Sequence, residues 1–187
     1  MLAVLLAAFA CASEARDRST AENAFARLAP CVDRSDARCV YAELDRDSRW
    51  SIQTIHRTLA EMRALVERSY PADRRAGPKI YGAWETAAAQ ADAAGTFAAF
   101  CASRGCMTEI VAGFGAVANV KNVDAGRAQI TTTRGRTFTL AAADGAWGLA
   151  TYGAELAAEK IRLADKLAQV RIDAREFDEQ RRATDGK

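Results

Sequence analysis

An α+β fold is predicted: a helical first half packed on a four-stranded antiparallel meander, followed by a long C-terminal helix. Three observations carry it. Ala116 to Ala150 alternates apolar and polar residues with turn signals between the runs. The residues before it show three- and four-residue apolar spacing instead, and the residues after it form one long charged amphipathic stretch.

In the meander, Val117, Val120 and Val123 bias the first run toward strand before Asp124-Ala125-Gly126 turns it. Ala128, Ile130 and Thr132 share one face of the second run, opposite Arg127, Gln129, Thr131 and Thr133. Arg134-Gly135 and Asp144-Gly145 have hairpin-turn chemistry. Phe138, Leu140, Trp147 and Leu149 continue the apolar face begun by Ile130. A sheet with one wet and one dry face needs a cover, and only helices are on offer.

Among those helices, Ser19 or Thr20 offers a cap for a short first helix carrying Phe25 and Leu28 and stopped by Pro30. Ser19 and Glu22 have capping-box spacing. After the loop CVDRSD a second helix is expected from Asp36 to Leu44, using Val40 and Tyr41. Ser48 is the expected cap of the longest early helix, which runs to Ser69 before Tyr70-Pro71. Its stripe of Ile52, Ile55, Leu59, Met62 and Val66, widened by Trp50 and Leu65, is the expected lid for the dry face. Shorter helices are expected after Pro78 (Ile80, Tyr81, Trp84), from Thr96 to Gly105 (Phe97, Phe100) and from Cys106 to Phe114 (Met107, Ile110, Val111).

The last helix is expected over Ala154 to Ala183, roughly thirty residues and ~45 Å. Leu156, Leu163, Val170 and Phe177 recur every seven residues, with Lys160, Leu167 and Ala174 offset by four. This partial heptad seam has two readings. The first half docks on the domain and the end is a charged tail, or Leu156, Leu163, Leu167, Val170 and Phe177 form a seam for a second copy or a protein partner. Glu159/Arg162, Arg175/Glu179 and Asp178/Arg182 supply opposite charges on the outer face.

The 187 residues suit one domain with an appendage, and alanine makes up much of the apolar half. With Lys+Arg 26 against Asp+Glu 24 the formal charge is +2, evenly spread. No basic stripe with interleaved aromatics points to nucleic acid. Residues 1–12 carry no charge and are too short to span a bilayer, as in the apolar segment of a signal peptide. Ala8-Phe9-Ala10-Cys11 has lipobox character, making Cys11 the lipidated first residue of a membrane-anchored protein. Alternatively, Ala10-Cys11-Ala12 is a cleavage site that releases a secreted one. The organisation expected is therefore a leader over 1–12, a tether over 13–19, an α+β domain over 20–152, and the helix and tail over 153–187. Localisation follows as the bacterial cell envelope on the periplasmic side, or secretion.

Four further cysteines, an even set in an exported chain, suggest disulfides, with the local pairings Cys31–Cys39 and Cys101–Cys106 favoured. Zinc would want more ligands than these spacings give, and the lone histidine, His56, is distant in sequence. No metal or cofactor is expected.

The run Thr137 to Leu149, TFTLAAADGAWGL, with a strand, a D-G turn and a tryptophan strand, resembles the nuclear-transport-factor-like cone superfamily. The stretch from Phe25 to Ser48, with its helix and LDRDS opening, adds to the likeness, which covers Ala21 to Ala150. Relatives in that superfamily include ketosteroid-isomerase-like and polyketide-cyclase-like proteins and small bacterial lipoproteins. The resemblance implies a pocket between the sheet's concave face and the helices. Trp50, Ile55, Leu59, Phe138, Leu140 and Trp147 would be its lining here.

No catalytic constellation is legible. His56 lies off the apolar stripe of its helix, with Glu43, Asp45 and Asp47 as the nearest acids in sequence. Tyr41, Tyr81 and Tyr152 could donate into a pocket but fit the edge of a core equally well. Ser51 and Ser103 have no nucleophile elbow, and Gly113-Phe114-Gly115 is not a dinucleotide loop. The expected role is a binding or interaction module. A small cone-fold isomerase or hydrolase on an apolar ligand, and an assembly protein using the C-terminal helix, are the alternatives.

Overall fold

The structure, a computed structural model, describes residues 17–75 and 78–185. The leader over 1–12, the lipidation residue Cys11 and the start of the tether lie outside the described residues. The helices are α1 (Ala21–Ala26), α2 (Ala29–Asp33), α3 (Ala37–Ala42), α4 (Arg46–Ser69), α5 (Pro78–Tyr81), α6 (Glu85–Ala88), α7 (Ala93–Arg104), α8 (Cys106–Gly113) and α9 (Gly153–Asp185). The strands β1 (Val117–Asp124), β2 (Arg127–Thr132), β3 (Thr137–Ala143) and β4 (Ala146–Leu149) lie between α8 and α9 and form one antiparallel sheet in chain order.

The helix starts are set by short polar side chains, at positions that differ from several of those expected. Thr20 caps α1, its hydroxyl accepting from the Asn23 N–H at 3.2 Å, while the Ser19 hydroxyl turns back to Asp17 at 2.7 Å. Pro30 does not stop a helix; it sits in the first turn of α2, where its missing N–H costs nothing. Asp45, not Ser48, caps α4, and Asp92 caps α7, which begins at Ala93, ahead of its expected start at Thr96. The tether is also pinned at its end. The Trp147 N–H donates to the Arg18 carbonyl at 2.9 Å, and the Arg18 guanidinium donates to the Ala42 carbonyl and the Glu43 carboxylate.

The register places Ile130 opposite Phe138 and Leu140 opposite Leu149. Ala128, Ile130, Thr132, Phe138, Leu140 and Leu149 are all buried, so the two-residue period gave the dry face correctly. Its cover is not the one expected. Helix α1 packs on β2, β3 and β4, with the Phe25 ring 5.2 Å from Phe138 and 4.9 Å from Phe114. Helix α4 buries its stripe mainly against α9, α7 and α6 instead. Strand β1 is a largely exposed edge, with Val117 and Val123 in solvent.

Helix α9 is docked along most of its length. Leu156, Leu163, Leu167, Val170 and Ala174 are buried, and α4 with α9 is the most extensive pairing of elements in the molecule. The docking continues beyond Val170: Phe177 meets Tyr70 edge-on at 4.9 Å, Ser69 and Tyr70 donate to Asp178 and Asp173, and Arg171 pairs with Glu61 at 2.6 Å. The heptad seam is therefore filled by the chain's own α4. Leu156, Leu163, Leu167 and Val170 are buried within the chain and Phe177 packs on Tyr70, so they are not an open seam. The helix stays attached through Asp178, and residues 179–185 are exposed. The reason is length: α4 has 24 residues and α9 has 33, so the two apolar stripes match over most of their run. Leu156→Ala should accordingly cost about 2–5 kcal/mol in urea denaturation of the monomer. A loss below about 1 kcal/mol would show that the helix is not docked.

Candidate functional site

A concavity with unused polar chemistry lies outside the core, where the wet face of the sheet meets the first turns of α4 and α9. Its position follows from one close approach. The Leu149 N–H donates to the Glu43 carbonyl at 2.9 Å, and the Asp45 N–H donates to the Leu149 carbonyl at 3.0 Å. Strand β4 is thereby stitched to the entry of α4. Only glycine fits at 148, because a Cβ there would fall 2.6 Å from the Asp45 backbone. On the next turn of chain, Ala150 N–H and the Thr151 hydroxyl bond to the Thr139 backbone, and α9 begins at Gly153.

These connections enclose a cleft of about 670 Å³, within the ~300–1,000 Å³ range of small-ligand sites. Helix α4 contributes Asp45, Asp47, Ser48, Trp50 and Ser51; the sheet contributes Arg127, Thr139 and Ala141. Thr151, Gly153, Ala154, Ala157 and Lys160 close the other side. Trp50 is 52% exposed, and the Lys160 ammonium stands 4.0 Å from its ring centroid. Two carboxylates and two cations leave the cleft close to neutral.

Two buried atoms here lack a hydrogen-bond partner. Asp45 is 7% exposed; its Oδ2 accepts from the N–H groups of Asp47 and Ser48, while Oδ1 has no donor. Ser48 is 1% exposed and its hydroxyl is also unpaired, beside Gly153. Such groups cost roughly 1–3 kcal/mol each when left unsatisfied. Arg49 Nε is a third, and that side chain lies on a neighbouring cleft of about 220 Å³ that shares Asp45 and holds Trp147.

The pocket expected on the dry face is not formed by its expected lining. Ile55, Leu59, Phe138 and Leu140 are solid core, at most 1% exposed, because α1 places Phe25 into the concave face. Of the six lining residues, Trp50 alone borders the larger cleft, on the opposite face of the sheet, and Trp147 is half-buried on the smaller one.

His56 Nδ1 is 3.0 Å from the Thr96 hydroxyl; Glu43 holds Arg18 and Arg27, so the expected acids are not gathered around the imidazole. Tyr41 lies against Phe97, and Tyr81 and Tyr152 are buried, with burial as the main force raising both phenols above their ordinary range. At the Asp92 cap of α7, the Gly95 N–H holds the carboxyl below its usual range. The residues missed by sequence reasoning are Arg127, Thr139, Thr151 and Lys160. Lys160 did leave a signal, as a cation at an apolar position of the heptad.

Cys31 and Cys39 form a disulfide. Cys101 and Cys106 stand as two buried thiols rather than the expected second bridge, and Cys106 together with burial pushes the Cys101 thiol upward. Among the described residues no group of three or more His, Cys, Asp and Glu side chains is arranged to hold a metal. Among the same residues no helix is long and apolar enough to cross a membrane. Compared with known proteins, the chain matches no family model, no curated protein and no solved structure.

If the cleft rather than the fold requires the Ser48 hydroxyl, Ser48→Ala should leave stability unchanged or raise it by up to about 1 kcal/mol. Chemical denaturation checks this, and a loss above about 1 kcal/mol would make the hydroxyl structural.

Proposed function

We propose that this protein is an exported, lipid-anchored module of the bacterial cell envelope, and that it binds a small polar ligand in the cleft between β3, α4 and α9. The observation that carries the binding reading is the pair of buried, unpartnered polar atoms, Asp45 Oδ1 and Ser48 Oγ, at a concavity of about 670 Å³. A fold has no use for unpaired buried acceptors, whereas a ligand that supplies donors repays their cost. Export is supported by the uncharged residues 1–12 and by the Cys31–Cys39 disulfide, a bond that persists in oxidising compartments. Anchoring is supported by Cys11 in its lipobox-like setting.

The role is binding, not catalysis. The cleft has carboxylates and hydroxyls but no nucleophile–base pair, and the imidazole of His56 is engaged with Thr96 instead. The expected seam residues pack against α4 within the chain, so the ligand site and the anchor carry the proposal.

Two measurements test it. Cys11→Ser should move the protein from the membrane fraction to the soluble one; unchanged fractionation removes the anchor. Titrating the isotope-labelled protein with neutral sugars, amino acids and inorganic phosphate should shift amide resonances at Ser48, Thr139 and Thr151 for at least one probe. Silence across all three classes would sink the binding site. Peptide mapping of the unreduced protein should recover Cys31 linked to Cys39, with Cys101 and Cys106 alkylated only after denaturation. A recovered Cys101–Cys106 link would show that export closes the second bridge.

A further inference from the structure

We infer that the ligand is a neutral oligosaccharide, lying with one sugar ring in the cleft and the chain extending over the wet face of the sheet. The inference rests on the cleft being a binding site and adds the chemical class of what enters it.

Three features select that class. The first is the demand of the orphaned atoms. Asp45 Oδ1 can only accept and Ser48 Oγ can do both, so the complement is a donor beside a group that donates and accepts. Hydroxyls on adjacent carbons of a sugar ring present that pair at a fixed spacing. The second is the aromatic rim. Trp50 is an exposed ring lining the cleft, and the Lys160 ammonium that stands over it adds a hydrogen-bond donor for a sugar hydroxyl beside the aromatic surface. The third is continuity. The wet face leads away from the cleft by register: Thr139 pairs with Gln129, which pairs with Lys121; Thr137 pairs with Thr131, which pairs with Asn119. Hydroxyls, amides and one amine make this a surface of mixed donors and acceptors with little charge. A chain of sugars uses such a surface ring by ring.

The competing classes fit less well. An anion would meet the carboxylates of Asp45 and Asp47 at the α4 N-terminus, where Asp45 already takes the free N–H groups of Asp47 and Ser48. A simple cation would meet Arg127 and Lys160. With two charges of each sign the cleft has no net field to concentrate either. An apolar ligand would leave Asp45 Oδ1 and Ser48 Oγ buried and still unpaired.

The experiment titrates the full chain with chitotetraose and cellotetraose, followed by tryptophan fluorescence and amide shifts, with inorganic phosphate and glutamate as charged probes. A saturable response to at least one tetrasaccharide is expected, mapping to Ser48, Thr139 and Thr137. Trp50→Ala should weaken it about tenfold, with an unchanged melting curve because the ring is exposed. Gln129→Ala should weaken the tetrasaccharide more than its monosaccharide. If phosphate or glutamate shifts the cleft while both tetrasaccharides are silent, the sugar class is wrong and the binding site stands. If no probe shifts it, both readings fall. Equal affinity in the Trp50 variant would also overturn the placement in the cleft.

Discussion

The constraint on which the architecture turns is the contact between the last strand and the entry of α4. Two backbone hydrogen bonds from Leu149 to the Glu43–Asp45 segment extend the sheet by one residue of parallel bridge, at Leu44. The approach is close enough that residue 148 cannot carry a Cβ. Because those bonds fix where α4 starts, they also fix Asp45 as its cap and turn Ser48 inward. Arg27 and Arg18 then hold Glu43 from the other side, with Arg27 reaching both carboxylate oxygens at 2.9 and 3.0 Å. A carboxylate bound this way by a planar guanidinium fixes direction as well as charge.

From that fixed start, α4 runs away from the sheet with α9 parallel beside it: Ser48 lies by Gly153, Trp50 by Lys160, Glu61 by Arg171 and Ser69 by Asp178. The two helices leave the same sheet edge, and their first turns already touch, with Ser48 beside Gly153 and Leu156 buried. The cleft lies where those turns meet the wet face of the sheet. On the side of α9 that faces Trp84 and α7, Glu159 is buried, and it accepts from the Trp84 indole at 3.1 Å and from Arg162 at 2.6 Å. Arg104 approaches the same carboxylate at 3.6 Å, which ties α7 to the pair. A buried acid with several donors is satisfied only where α9 meets Trp84 and α7 together.

The division of labour inside the molecule is clear from this geometry. The dry face of the sheet is filled by Phe25 and is structural. The wet face, with its exposed edge strand and threonine rows, is left open beside the cleft. A sheet that spends one face on the core and keeps the other polar gives a rigid platform for recognition, held by elements that do not need to move.

Local chemistry in the sequence determined the element types and the faces. Period-two alternation from Ala128 to Leu140, the Asp144-Gly145 turn and the 52-55-59-62-66 stripe are all short-range patterns, and the backbone followed each of them. The sequence also marked Cys31 and Cys39, eight residues apart, as a local bridge. Which face meets which partner was decided only by tertiary structure. An apolar stripe says that it must be covered, not by what: α1 took the sheet and α4 took α9. The starts of α4 and α7 fell ahead of the expected Ser48 and Thr96 because the Asp45 and Asp92 carboxylates accept from the free N–H groups there. The cleft was invisible for the same reason, since the Asp45–Ser48 turn, Thr139 and Lys160 are far apart in the chain and meet only once two helices and a strand have been joined at Gly148.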